Sequence, residues 1–193
     1  VQAMNAVLQS AASHADNLKA VDTFVMRDIA SQACRGKLTV QAQPTIGQRD
    51  ITVVDMDTAQ LRQQPVVWSD SLQLSQSRAR SHACGYWLSA DAIPAVERLG
   101  MLGVNVQRVA ELSSLDAETY QASEANDAVA LQRNSFESPP GSYYVSMNQP
   151  LAYLAAAALE PDTPYSFYSA GVLKDLSKVA RVVALPQIVF DED

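Results

Sequence analysis

The spacing of apolar positions changes twice along this chain, and each change marks a change of element. Met4, Leu8, Ala11, Ala15, Leu18, Val25 and Ile29 recur at spacings of three, four and seven. That is one apolar stripe on a long helix, or on two helices broken near Asp22. Gly36 is the glycine expected after a helix end. The period then shortens. "KLTVQAQP" and "DITVVDM" predict short strands rich in β-branched residues, separated by the turn-forming "PTIGQRD". "PVVWSDSLQLSQ" continues the β character, with Val67, Leu72 and Leu74 facing inward.

The next stretch has a strand-helix-strand order. "CGYWLS" predicts a strand, Asp91 is a capping type, and Pro94 falls in a first helical turn, where proline is tolerated. Ile93, Val96, Leu99 and Leu102 would form the buried face, Gly103 ends the helix, and "VNVQRV" is the following strand. Residues 84–109 thus predict a β-α-β unit. The polar residues 120–127 predict a loop. "GSYYVSMNQPLAYLAAAAL", residues 141–159, repeats the order. Tyr144 and Val145 end a strand, Asn148 is an N-cap type and Pro150 sits in the first turn. Leu151, Leu154, Ala155, Ala158 and Leu159 share a face, and Pro161 stops the helix. "VARVVALPQIVF" is a last strand candidate. The fold class is α/β in the mixed α+β sense: a long N-terminal helix, then a mixed sheet with strand-helix-strand units.

Composition narrows the function classes. A chain of 193 residues, 48% hydrophobic and 18% charged, is a globular protein with room for one sizeable domain. The net charge of -7 and the scattered lysines and arginines argue against a nucleic-acid partner, which needs a clustered basic surface. No apolar run approaches the ~20 residues of a membrane span.

Few residues carry recognisable chemistry. His14 and His82 are the only histidines. His82 and Cys84 would share a strand face, yet no second pair completes a zinc site. His14 borders the helix stripe as a structural histidine. No nucleophile elbow, phosphate-cradling glycine loop or His-Glu-x-x-His occurs. "ITVVDMDTA" resembles the opening motif of haloacid-dehalogenase-type phosphatases, with Asp55 and Asp57 as nucleophile and proton shuttle. Ala59 departs from that motif, and the downstream magnesium-binding aspartates are missing. Two aspartates closing a strand are more often a turn. Cys34 and Cys84 each sit at an element end. They would be free thiols in the cytosol and a disulfide in an exported protein, and the residues alone leave that open.

Two stretches resemble a known family. "CGYWLSADAIPAVERLGMLGVNVQRV" and "PPGSYYVSMNQPLAYLAAAALEPDTP" are similar, in order and spacing, to the region after the peptidase core of large bacterial zinc-carboxypeptidase-like proteins. Residues 12–18 look like the helix that trails that core. The family's His-x-x-Glu metal pair, third histidine, clamping arginine and general-base glutamate have no counterpart here and would lie before Val1. The resemblance therefore implies a helical segment, residues 1–35, trailing an absent core, and an accessory α/β domain, residues 36–193. It implies no cofactor in this chain, zinc only in the missing core, and that core, and a peptide substrate, as partners. It also implies a periplasmic or secreted location and hence a Cys34–Cys84 disulfide. Residues 161–171 then become a candidate substrate-bordering loop, in which Tyr165, Phe167 and Tyr168 could offer ring faces and Asp162 could pair with a basic side chain. The alternative is a stand-alone module that binds peptide or cell-wall fragments.

Overall fold

The computed structural model describes residues 2–122 and 129–192. The chain forms two compact units, Leu38–Arg80 and the remainder. In the larger one, α1 (Gln2–Ser13) and α2 (Ala15–Ser31) carry the N-terminal stripe. They are interrupted at His14 and not near Asp22. The Ser10 carbonyl there accepts both the His14 backbone N–H at 3.1 Å and its Nδ1–H at 2.8 Å. Gly36 lies five residues beyond Ser31 and takes φ 74°, while Cys34, at φ 63°, already turns the chain out of the helix.

The smaller unit is one hairpin of two long strands, β1 (Lys37–Val54) and β2 (Leu61–Ser81). The expected turn at "PTIGQRD" is instead the middle of β1. In a two-stranded ribbon each strand is an edge, so Pro44 can present its missing N–H outward without breaking a ladder. Val67, Leu72 and Leu74, expected to face inward, are exposed, Leu72 at 96%. The Asp70 carboxylate accepts from the Leu72 N–H at 2.9 Å, and a two-stranded ribbon has no second layer of its own to bury one face.

The remaining strands are β3 (Gly85–Leu88), β4 (Gln107–Arg108), β5 (Ser113–Ala122), β6 (Val129–Ser138), β7 (Tyr143–Ser146) and β8 (Val179–Val182). They form a six-stranded sheet in the order β4-β7-β3-β8-β5-β6. Every pairing is antiparallel. β3 and β4 are nevertheless parallel to each other, because β7 lies between them, and β7 and β8 are parallel across β3. Helix α3 (Ile93–Met101) links the first pair and α4 (Ala152–Leu159) the second. The two strand-helix-strand units are thus split and interlocked, and the mixed α/β class holds. The β5–β6 hairpin was not legible in the sequence. Tyr120 and Gln121, assigned there to a loop, lie in β5, and residues 123–127 fall outside the described residues.

Register sorts the sheet into two faces. Tyr86, Val145 and Arg181 share one, and Trp87, Tyr144 and Ala180 the other. Both are buried at β3 and β8. The Tyr86 face packs under the helices, which contribute Ala95 and Leu99 from α3 and Ala152, Ala155, Ala156, Ala158 and Leu159 from α4. The sequence misplaces part of this layer. On α3 and its C-cap, Ile93 and Leu102 are 41% and 49% exposed while Ala95 and Leu99 are buried; on α4, Leu154 is 38% exposed while four alanines and Leu159 are buried. Leu99→Ala should therefore cost about 2–5 kcal/mol. Leu154→Ala should stay within about 1 kcal/mol of the parent. Denaturant midpoints check both, and equal losses would mean the helix faces are wrongly assigned.

The caps differ as well. Asp91 does not cap α3, whose N-cap is Ala92. Its carboxylate instead accepts from Lys178 Nζ at 2.6 Å and from the Ser89 hydroxyl at 2.5 Å. α4 starts at Ala152 with Leu151 as N-cap, so Asn148 and Pro150 precede the helix. Gln149 shapes that turn. Its side chain accepts from the Asn105 N–H at 2.8 Å and donates to the Ser146 carbonyl at 2.6 Å, tying the start of α4 to the loop before β4.

Candidate functional site

Beneath the C-terminal end of α4 lies a charged cluster in an otherwise apolar layer. Arg181, in the middle of β8, is fully buried. Its Nε–H donates to Glu160 Oε1 at 2.7 Å, Nη1 pairs with Glu118 on β5, and Nη2 donates to the Ser81 carbonyl. The Tyr86 hydroxyl donates to the same Glu160 oxygen at 2.8 Å. Glu160 is the C-cap of α4 and turns into the extended conformation there, which drops its carboxylate onto the sheet. The sequence carried one signal of this cluster that went unused: an arginine inside "VARVVAL". An isolated charge in a buried strand has to be paired.

The cluster ties β8 to β5 and to the end of α4 through paired charges. Burial pulls the Arg181 pKa down more than any one neighbour raises it, but Glu160, Tyr86, Tyr120 and Glu118 together outweigh it and hold the guanidinium charged. Burial, and then the Glu160 charge, push the Tyr86 phenol well above its ordinary value. On the other face, burial pushes Tyr144 up to about 12. A raised folded-state pKa stabilises the fold fully below the unfolded value near 10, and that contribution is lost as pH climbs toward the folded value. Between pH ~10 and ~12 Tyr144 should therefore remove about 1.4 kcal/mol of stability per pH unit, and Tyr86 should add to the loss in the same direction. Denaturant melts across that range test this, with tyrosinate absorbance as a second readout. Ionisation of all tyrosines before any unfolding would contradict it.

Residues 161–171 form a packed loop. Phe167 is buried, its N–H donates to the Ala158 carbonyl at 2.7 Å, and its own carbonyl accepts from Val172 and Leu173. Asp162 is also buried, and its Oδ1 accepts from the Val129 N–H at 3.4 Å. Tyr165 and Tyr168 project outward, 80% and 40% exposed. The loop thus divides the four candidates. Two are buried against the domain and two expose their rings to solvent.

The second sheet face carries Trp87, Leu115, Ala117, Tyr144, Ala180 and Val182. Phe136 packs edge-on to Trp87 with ring centres 4.5 Å apart. The Tyr144 ring lies across Gly85, where a Cβ would come within 2.3 Å of its hydroxyl. Glycine is required there by close approach. Among the described residues no helix side chain joins this cluster. Residues 184–190 cross it instead, with Ile188 and Phe190 packed inward.

The other candidates are spread apart. Asp55 and Asp57 sit at the hairpin tip, where Asp55 Oδ1 accepts from the Asp57 and Thr58 N–H groups, each at 3.1 Å. The N–H groups of Thr58 and Asp57 hold the Asp55 carboxyl below its usual range. This is the turn chemistry of an Asx motif. Cys34 and Cys84 are joined in a disulfide, so Cys84 is no metal ligand for His82. Among the described residues no group of three or more His, Cys, Asp or Glu could hold a metal ion, and no helix is long and apolar enough to cross a membrane. A scan against family models finds no match, and neither curated proteins nor solved structures give a significant one.

Proposed function

We propose that this chain is a non-catalytic accessory domain of an exported, zinc-carboxypeptidase-like protein, packing on the peptidase core and bordering its cleft. The observation that carries this reading is the apolar stripe of the N-terminal helices. Met4, Val7, Leu8, Leu18, Val21 and Phe24 are 54–72% exposed. Large apolar side chains left exposed along both helices point to an interaction face. The far end of the stripe is anchored, by the disulfide at Cys34 and by the Tyr153 hydroxyl donating to Gln32. A helical segment fixed at one end and apolar along its length suits docking on a second body. The disulfide supports export, since such bonds persist in oxidising compartments. In this reading zinc and hydrolysis belong to the core, and Tyr165 and Tyr168 are the side chains that reach toward substrate.

The test compares Leu18→Asp/Phe24→Asp in the full-length protein and in the isolated chain. The double variant should lower the melting midpoint of the full-length protein and leave that of the isolated chain unchanged. Equal effects in both would remove the docking role, and a full-length sequence without a His-x-x-Glu metal pair would remove the peptidase. Tyr165→Ala/Tyr168→Ala should shift kcat/KM between peptide substrates with the melting midpoint held. An unchanged substrate ranking would mean the loop does not reach the cleft.

A further inference from the structure

The sheet face around Trp87 and Tyr144 is closed by residues 184–190, and the way they close it has a consequence for binding. We propose that this segment is a displaceable strap, and that the aromatic face under it is a groove for an extended peptide bearing an aliphatic and an aromatic side chain two residues apart. The inference is independent of the peptidase reading.

The strap is seated as a bound peptide is. Phe190 forms an isolated antiparallel bridge with Val109. The Ala110 N–H donates to the Val189 carbonyl at 2.9 Å, and the Asp191 N–H to the Arg108 carbonyl at 3.0 Å. Alternate side chains point down, as in strand addition to a sheet edge. Ile188 joins the core cluster, and the Phe190 ring stacks on Tyr144 with centres 5.9 Å apart. Asp191 then pairs with Arg108 at 3.4 Å. The recognised pattern is thus aliphatic-x-aromatic-acidic.

Two features make the closed state replaceable. The strap is only half in the core: Leu185 and Val189 are 81% and 52% exposed, and its backbone bonds to the 108–110 segment cluster at its C-terminal end. Beneath it, the buried Trp87 Nε1–H has no hydrogen-bond partner among the described residues. An unsatisfied buried donor opposes the closed state, and a carbonyl of an incoming peptide backbone could accept from it. The ligand class follows from charge and shape. A chain of net charge -7 does not attract nucleic acid to an aromatic sheet face, whereas apolar rings and one free N–H suit a peptide.

The first test needs no variant. In native-state hydrogen exchange, the Ala110 and Asp191 amides should exchange at least about tenfold faster than those of Tyr86 and Leu88, through an opening smaller than global unfolding. Equal protection would make the strap an inseparable part of the core and overturn the proposal. The second uses Trp68→Phe, which leaves Trp87 as the sole indole reporter, with and without Ile188→Ala/Phe190→Ala. A synthetic peptide of residues 187–192 should bind the strap-weakened protein at least about tenfold more tightly than the parent, because the parent's groove is mostly occupied. A peptide of unrelated sequence that keeps the aliphatic-x-aromatic-acidic pattern should bind as well, and a scrambled one should not. Binding of the strap's own sequence alone, or of no peptide to a variant that circular dichroism shows folded, would overturn it.

Discussion

Arg181→Ala is expected to destabilise the protein by about 3–5 kcal/mol, the largest effect of any single substitution on the sheet. The loss is not the strength of one ion pair. Removing the guanidinium leaves the Glu160 carboxylate buried with Tyr86 as its remaining named donor, and leaves the Ser81 carbonyl without the Nη2 bond. A buried anion that loses its counter-charge must stay charged at high cost or take up a proton. Replacing both partners, as in Arg181→Met/Glu160→Gln, should cost less than Arg181→Ala alone, because the only carboxylate then left without the guanidinium is Glu118, which is partly exposed to water. Denaturant midpoints for the two singles and the double give the coupling. Strictly additive losses would show that Arg181 and Glu160 do not act as a pair.

The second large effect is expected from Cys34→Ser/Cys84→Ser. The disulfide closes a separation of 50 residues, which in the chain-entropy model stabilises the fold by about 4 kcal/mol. The same result should follow from reduction of the parent protein, measured as the shift in denaturant midpoint with and without a dithiol. The closed loop contains the whole hairpin unit, Leu38–Arg80. Backbone bonds from Cys34 N–H to the Ala83 carbonyl and from His82 N–H to the Gly36 carbonyl, both 3.1 Å, lie just inside the bridge. A single protease cut within the hairpin should therefore leave two fragments that separate only under reducing conditions. An unchanged midpoint after complete reduction would assign the bond no stabilising role.

The sequence by itself determined the local elements whose signals are local. The apolar stripe of α1 and α2, the strands at Gly85–Leu88, Tyr143–Ser146 and Val179–Val182, and the helices between them follow from period and from proline and glycine placement. It also narrowed the chemistry, since two histidines and two cysteines offer few ligand sets. The tertiary structure decided what depends on residues far apart. Whether "PTIGQRD" turns or continues depends on whether β1 has one neighbour or two. Which face of α4 is buried depends on how the helix packs, and it is the face of four alanines and Leu159, not of Leu154. β5 and β6 are polar on their exposed face and acquire strand identity from pairing with each other and with β8. The Arg181 cluster draws on β3, β5, β8, the end of α4 and Ser81, separated by up to 100 residues. No local pattern encodes such a meeting, because its energy exists only once the charges leave water together. The disulfide belongs to both lists. Its cysteines are legible, but their pairing required the helix end and the start of β3 to be brought to a Cα distance of 4.3 Å.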